Sequence, residues 1–315
     1  MNFGPLTPVA EAKKIADHCF DQGVFFWDTA DMYGHGQSES VVGELLQGRR
    51  QEIVLATKVF ADMGPGPNDC GLSARHLIAA CEASLERLQT DWIDLYYLHL
   101  PDRSVPIEET LRAMEDLVRS GKVRYVGCSN FLAWEVMELL LVAERYHWQA
   151  ATAVQPLYNL VNRDIEVELL PMCQAQGLGA VVYSPLARGV LTGKYSWGEA
   201  APPGSRLSAN NKRFLEAEWR EDSVRVADAL KPLAAERGVT VGQLALAWTL
   251  ANRLVHSVII GPKTLAQATE SLAASSITWD DELEAAIDLL VPPGCHSGHA
   301  FPDDNYYPIK GRSIV

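Results

Sequence analysis

A parallel α/β barrel of the (β/α)8 kind is the fold this sequence predicts, on three observations. Short β-branched or aromatic runs alternate with longer stretches of helical period along the chain. The polar residues that end successive runs keep one phase. The length of 315 residues, 48% hydrophobic and 21% charged, suits one barrel domain of about 200 to 400 residues. Alternation of this kind means parallel strands with helices outside them.

Element by element, a helix is expected over Thr7–Gln22, then a strand over Val24–Asp28, whose Phe25, Phe26 and Trp27 suit a strand buried on both faces. Expected helices over Glu39–Leu46, Ser73–Leu88, Pro106–Ser120 and Leu132–Tyr146 lead in turn to strands over Ile53–Lys58, Ile93–His99, Val123–Ser129 and Ala153–Pro156. A helix over Ile165–Gln176, a strand over Gly179–Ser184, helices over Ser223–Arg237 and Val241–Ala251, a strand over Ser257–Ile260 and a helix over Leu265–Ala274 complete the series. That is one strand short of a closed eightfold barrel.

Composition excludes some partners. A formal charge of −13 and an isoelectric point near 5.1 oppose nucleic acid or an anionic membrane, so an anionic ligand needs a local cluster of donors. Cys19, Cys70, Cys81, Cys128, Cys173 and Cys295 are scattered without a C-x-x-C pair, which suggests free thiols in a reducing compartment. No signal peptide or long apolar span is evident, so a cytoplasmic location is expected.

Counting a first barrel strand before Thr7, Asp28 ends the second expected strand, Lys58 the third, His99 the fourth, and Ser129–Asn130 the fifth. Each lies about one βα repeat beyond the last, so these groups converge on the C-terminal rim where barrel enzymes build their chemistry. Singly, Asp28 and Lys58 read as a structural ion pair and Tyr33 as packing; four such residues in phase read as a site.

The motifs D-T-A-x-x-Y-G, A-T-K, L-Y-Y-L-H, G-x-S-N, Q-x-x-Y-N, Y-S-P-L-A-x-G-x-L-T-G-K-Y and I-I-G-x-K-T follow one another in this order. In this the chain resembles the aldo-keto reductase family over nearly its whole length. The resemblance implies a (β/α)8 barrel holding an extended nicotinamide cofactor without a G-x-G-x-x-G loop, and no such loop is found. It places the family's tetrad on Asp28, Tyr33, Lys58 and His99.

Hydride delivered to a carbonyl leaves an alkoxide, so a proton donor must stand beside that oxygen. Tyr33 is the candidate donor. A phenol, with its usual pKa of about 10, is a reluctant acid, and a cation at Lys58, held by Asp28, stabilises the phenolate. His99 can donate a second hydrogen bond. A Lys58 Schiff-base aldolase also fits a barrel but leaves Tyr33 unexplained.

By resemblance, Ser129, Asn130 and Gln155 hold the carboxamide, Tyr183 stacks on the nicotinamide, and Ser184, Leu186 and Leu191 line the pyrophosphate path. The stretch Gly261, Lys263 and Thr264, with Gln267 and Ser271, opens a helix whose N-terminus can meet phosphate. Ser271 stands where family members often carry Asn, and Gln267 where some carry Arg. The Lys263 cation favours NADPH over NADH in so acidic a chain.

The loop at 196–222 is read as a lid, and the tail at 291–315 as a cover for the barrel mouth or a loose end. His296, His299, Asp303 and Asp304 form a poor metal set, and no metal is expected. Trp27 and Met32 are placed beside the site as room for an apolar carbonyl. The expectation is thus a one-domain, NADPH-dependent reductase of aldehydes or ketones, acting on a small-molecule carbonyl and with homo-oligomerisation open. The alternatives are a sugar or sugar-nucleotide ketoreductase and a cofactor-binding regulatory subunit with negligible turnover. Relatives usually begin with a hairpin and a strand reading roughly G-x-G-T-M-x-F-G, so Met1–Gly4 reads as only the last rung of the first barrel strand. Either the start is truncated, or the tail or a partner subunit fills the gap.

Overall fold

The computed structural model describes residues 1–298. The tail at 299–315, with His299, Asp303 and Asp304, lies outside the described residues, as does the Arg213 side chain. The chain divides into two compact units. The first comprises Met1–Gln155, Gly177–Gly179 and Gly261–Thr269, and the second Pro156–Gln176, Ala180–Ile260 and Glu270–Val315.

In the first unit α1 (Val9–Asp21) buries Ala12, Ile15, Ala16 and Cys19, a three-and-four spacing that draws one stripe along the helix. Next come β1 (Phe26–Asp28), α2 (Gln37–Leu45), β2 (Val54–Val59), α3 (Ala74–Leu88), β3 (Ile93–Leu98), α4 (Ile107–Arg119), β4 (Val123–Ser129), α5 (Ala133–Tyr146) and β5 (Ala151–Gln155). The strands pair in parallel, each with the next, in registers that set Asp28 opposite Ala56, Lys58 opposite Tyr97 and Ser129 opposite Gln155. Side chains two apart share a face of a strand. Ala56, Leu95, Tyr97 and Ala153 form one apolar cluster with Phe26 against it, and the residues two further along are Lys58, Tyr97, His99, Gln155 and Asp28. The polar rim therefore stands directly on an apolar floor. Gly127 is required there, because a Cβ would lie 2.5 Å from a Tyr97 ring carbon.

The second unit holds α6 (Leu169–Gln176), β6 (Gly179–Val182), α7 (Lys212–Ala217), α8 (Glu221–Glu236), α9 (Val241–Ala251), β7 (Ser257–Val258), α10 (Leu265–Ala273), which opens in the first unit, and α11 (Asp281–Leu290). β6 and β7 are parallel. Its core joins Tyr158, Leu191, Phe214, Leu230, Leu244, Trp248 and Ile287. Arg163 ties the unit together. Its guanidinium bonds Glu166, Asp288 at 2.7 Å and the Val291 carbonyl at 2.7 Å.

The fold is α/β with seven parallel strands among the described residues. An eighth is not among them: Phe3 makes a single bridge to Thr7, while the Asn2 amide donates to the Gly261 carbonyl at 2.6 Å and the Thr7 hydroxyl to that of Lys263 at 3.2 Å. Helix α11 was not expected. Asp280 caps it by accepting from the Leu283 N–H, and Leu283 and Ile287 anchor it. The stretch 196–222 contains the short α7, capped by Asn211.

Candidate active site

Lys58, next to last in β2, is fully buried, and an ammonium there demands partners for all three donors. It pairs with Asp28 Oδ1, donates to the Thr29 carbonyl at 2.8 Å, and hydrogen-bonds the Tyr33 side chain. Burial pushes its pKa down, but the charge of Asp28 and the contact with Tyr33 outweigh burial, so the net shift is upward and the cation persists. Asp28 Oδ2 accepts from the Gln155 amide at 2.8 Å, which fixes the carboxylate from its far side.

Tyr33 lies in the loop after β1, with Lys58 Nζ 5.1 Å from its ring centre. His99, one residue past β3, sets its imidazole edge-on to the phenol at 6.0 Å between centres. Burial, then the Lys58 charge, pushes the His99 pKa down to about 3. The ring is neutral at physiological pH and can donate from one nitrogen only. The four expected residues thus come together.

Ser129, Asn130 and Gln155 stand on the same rim. The Ser129 hydroxyl donates to the Gln155 carbonyl at 2.8 Å, and the Asn130 amide to the His99 carbonyl at 2.9 Å. Asn130 adopts the left-handed conformation at φ 63°, which Asn tolerates better than most residues. Trp27 is not at the site. Strand alternation turns it away from Asp28, its indole donates to the Val24 carbonyl at 3.2 Å, and Arg49 lies over its ring. Met32 is exposed.

Gly261, Lys263, Thr264 and Gln267 also belong to the first unit. Thr264 accepts from the Gln267 N–H at 3.3 Å as α10 begins. Two of the N–H groups expected to meet phosphate are already taken. The Lys263 N–H goes to the Gln267 side chain at 2.8 Å and the Leu265 N–H to Glu11 at 2.9 Å.

In the second unit Tyr183 follows β6 and bridges Leu157. Ser184 at φ 56°, Ala187 at 44° and Arg188 at 52° form a run of left-handed residues. Leu186 is partly buried; Leu191 is fully buried in the apolar core, so only its backbone could face a ligand. Ser271 is half-buried in the last turn of α10. Three cations went unnamed in the sequence reading. Arg188 has a buried Nε with no hydrogen bond among the described residues, its nearest carboxylate being Glu218 at 4.0 Å. Burial, then the charge of Arg188, pushes Arg206 down. Lys194 approaches Gly189, where a Cβ would sit 3.3 Å from its Nζ. An anion would relieve both the orphaned donor and the repulsion, so the donor set suits a phosphate-bearing cofactor. A clue lay in the sequence, where R-G-V-L-T-G-K places two cations six residues apart around two glycines.

Among the described residues no cluster of metal-binding side chains occurs and no helix is long and apolar enough to cross a membrane. His296 lies 3.5 Å from Asp164.

Parallel strands thus end in a buried Asp–Lys pair, with a tyrosine in the loop after β1 and a neutral histidine just past β3. Residues 2–291 match the Aldo/keto reductase family, and the chain belongs to it. It is 41% identical over 282 residues to the probable voltage-gated potassium channel subunit beta of Arabidopsis thaliana, covering 88% of this chain and 85% of that one. Identity to the uncharacterized oxidoreductase YrpG of Bacillus subtilis is 37% over 96% of this chain and 93% of the relative. To the versiconal hemiacetal acetate reductase of Aspergillus parasiticus it is 33%, over 91% and 89%.

Proposed function

We propose that this chain is an NADPH-dependent reductase of aldehydes or ketones. The observation that carries the reading is the saturated Lys58 ammonium, which joins Asp28 to the Tyr33 phenol inside an apolar wall. The cofactor supplies the hydride. Tyr33 holds a proton where the carbonyl oxygen gains charge, and Lys58 stabilises the phenolate left behind. Gln155 and Asp28 keep Lys58 from turning away, and neutral His99 offers one N–H to the same oxygen. Such acid catalysis contributes roughly 10²- to 10⁴-fold, or about 3 to 5.5 kcal/mol of barrier. Arg188, Arg206 and Lys194 are the candidate phosphate holders, with Lys263 for a ribose phosphate.

The relatives named as potassium channel subunits favour a second reading, a cofactor-holding subunit that turns over negligibly. A sugar ketoreductase is a narrower form of the first. Mixing the protein with NADPH and a panel of aromatic aldehydes, ketones and keto sugars separates the three. NADPH consumed with simple aldehydes supports the general reductase, and consumption confined to keto sugars the narrower one. Tight NADPH binding with no consumption for any carbonyl favours the subunit.

A further inference from the structure

On the far side of β2 from Lys58 lies a fully buried carboxylate that the tetrad does not use. Glu39 sits in the first turn of α2, and its Oε1 accepts from the Thr57 hydroxyl at 2.6 Å while its Oε2 accepts from Arg87 Nε at 2.7 Å. Thr57 precedes Lys58, so alternation sends their side chains to opposite faces of one strand. The same strand therefore grips the Tyr33 loop twice, through Lys58 on one face and through Thr57 and Glu39 on the other.

The loop needs that second grip. It leaves β1 with the Thr29 N–H on the Ala56 carbonyl at 2.9 Å and re-enters structure at Gly36, a left-handed N-cap at φ 86° with no side-chain cap. The Thr29 and Ser38 hydroxyls bond across its neck at 3.0 Å, the Gly36 N–H reaches the Asp31 carbonyl at 2.7 Å, and the Ser38 N–H reaches the Tyr33 carbonyl at 3.1 Å. These bonds make the loop one piece, and its outgoing end goes wherever the first turn of α2 goes. Arg87 touches that turn at both ends, because its Cδ packs where a Cβ on Gly36 would come within 2.5 Å while its Nε holds Glu39. A buried carboxylate is costly unless bonded. Thr57 and Arg87 offset that cost only in this register.

We propose that Glu39, clamped between Thr57 and Arg87, is a positioning residue that sets the Tyr33 hydroxyl against Lys58. This rests on the reading of Tyr33 as proton donor, since a displacement of about 1 Å can cost on the order of 100-fold in rate. The test compares wild type with Thr57→Val, which keeps shape but loses the hydroxyl, with Thr57→Ser, which keeps the hydroxyl, and with Glu39→Gln. Turnover at saturating NADPH, KM for the carbonyl, NADPH affinity by fluorescence and amide hydrogen exchange over 29–38 and over α5 are measured. Thr57→Val is expected to lose about 10- to 100-fold in kcat, with KM and NADPH affinity little changed. Exchange should quicken in 29–38 and not in α5, and Thr57→Ser should behave as wild type. Unchanged kcat and exchange in Thr57→Val would overturn the proposal. So would quickened exchange in both segments together with weakened NADPH, which marks a general loss of structure. If wild type consumes no NADPH with any carbonyl, the reductase reading fails, and the exchange comparison still decides whether the clamp fixes the loop.

Discussion

The strand-end rim of the first unit and the irregular stretch 184–220 of the second carry functional groups in opposite ways. On the rim every charged group has its partners already. Lys58 is saturated by Asp28, Thr29 and Tyr33, and Asp28 is held again by Gln155. In the second unit Arg188 sits on left-handed backbone with one donor unbonded, and Arg206 is repelled by it. On the proposed reading the contrast separates two tasks. Proton transfer needs a geometry fixed before substrate arrives, whereas an anion site can hold strain and an unbonded donor that a ligand relieves.

Breaking the rim should have the larger effect. Lys58→Met leaves Asp28 buried with Gln155 alone, and loss of one partner of a buried pair costs about 3–5 kcal/mol. Urea unfolding should show that loss, and Lys58→Met combined with Asp28→Asn should recover part of it. Equal stability of the single variant and wild type would show that the pair is not buried in solution. In the second unit Arg188→Ala should weaken inorganic pyrophosphate by about 1.5–3 kcal/mol in calorimetry without lowering stability. A variant that binds pyrophosphate like wild type would remove Arg188 from the anion site.

These two regions also differ in how far the sequence disclosed them. Asp28, Lys58, His99 and Ser129 are legible because each lies at or beside the end of a strand and strand ends recur at a fixed phase, whereas Gln155 rests on the family resemblance. Trp27 was misplaced for want of the same rule, since alternation beside Asp28 turns it outward. Arg188 and Arg206 follow no period, and only folding reveals that they approach each other. Helix α11 lies outside the expected series, although Asp280 with Leu283 and Ile287 is a readable cap and stripe behind an acidic first turn of Asp281, Glu282 and Glu284. The phosphate expected on the N-terminus of α10 ignored Glu11, which lies 254 residues away in sequence and bonds the Leu265 N–H.

Smaller effects sharpen the comparison. Lys263→Ala should weaken NADPH more than NADH, by about 1–2 kcal/mol if a charged hydrogen bond is lost. Equal losses for the two cofactors would show that Lys263 does not read the extra phosphate. The last effect is a change of slope. Burial, then the charge of Glu39, pushes the Asp31 carboxyl up from 3.8 to about 7. Arg87 and Lys58 oppose that rise, and the Tyr96 phenol faces the same group. Below the unfolded value both states are protonated. As pH rises toward 7 the unfolded chain releases a proton that the native state keeps, so native stability falls over that window. Asp31→Asn stays neutral and should lack this fall. Urea midpoints from pH 4 to 8 that run parallel for the two proteins would contradict it.

On the proposed reading, Asp28, Tyr33, Lys58 and His99 perform proton transfer and leave cofactor holding to other groups. Tyr33→Phe tests it most directly, with kcat for a reducible aldehyde and NADPH affinity measured on the same preparation. The expected result is a kcat lower by roughly 10²- to 10⁴-fold with the NADPH Kd within a few-fold of wild type. Turnover at the wild-type rate, or a loss of activity matched by an equal loss of NADPH affinity, would contradict it.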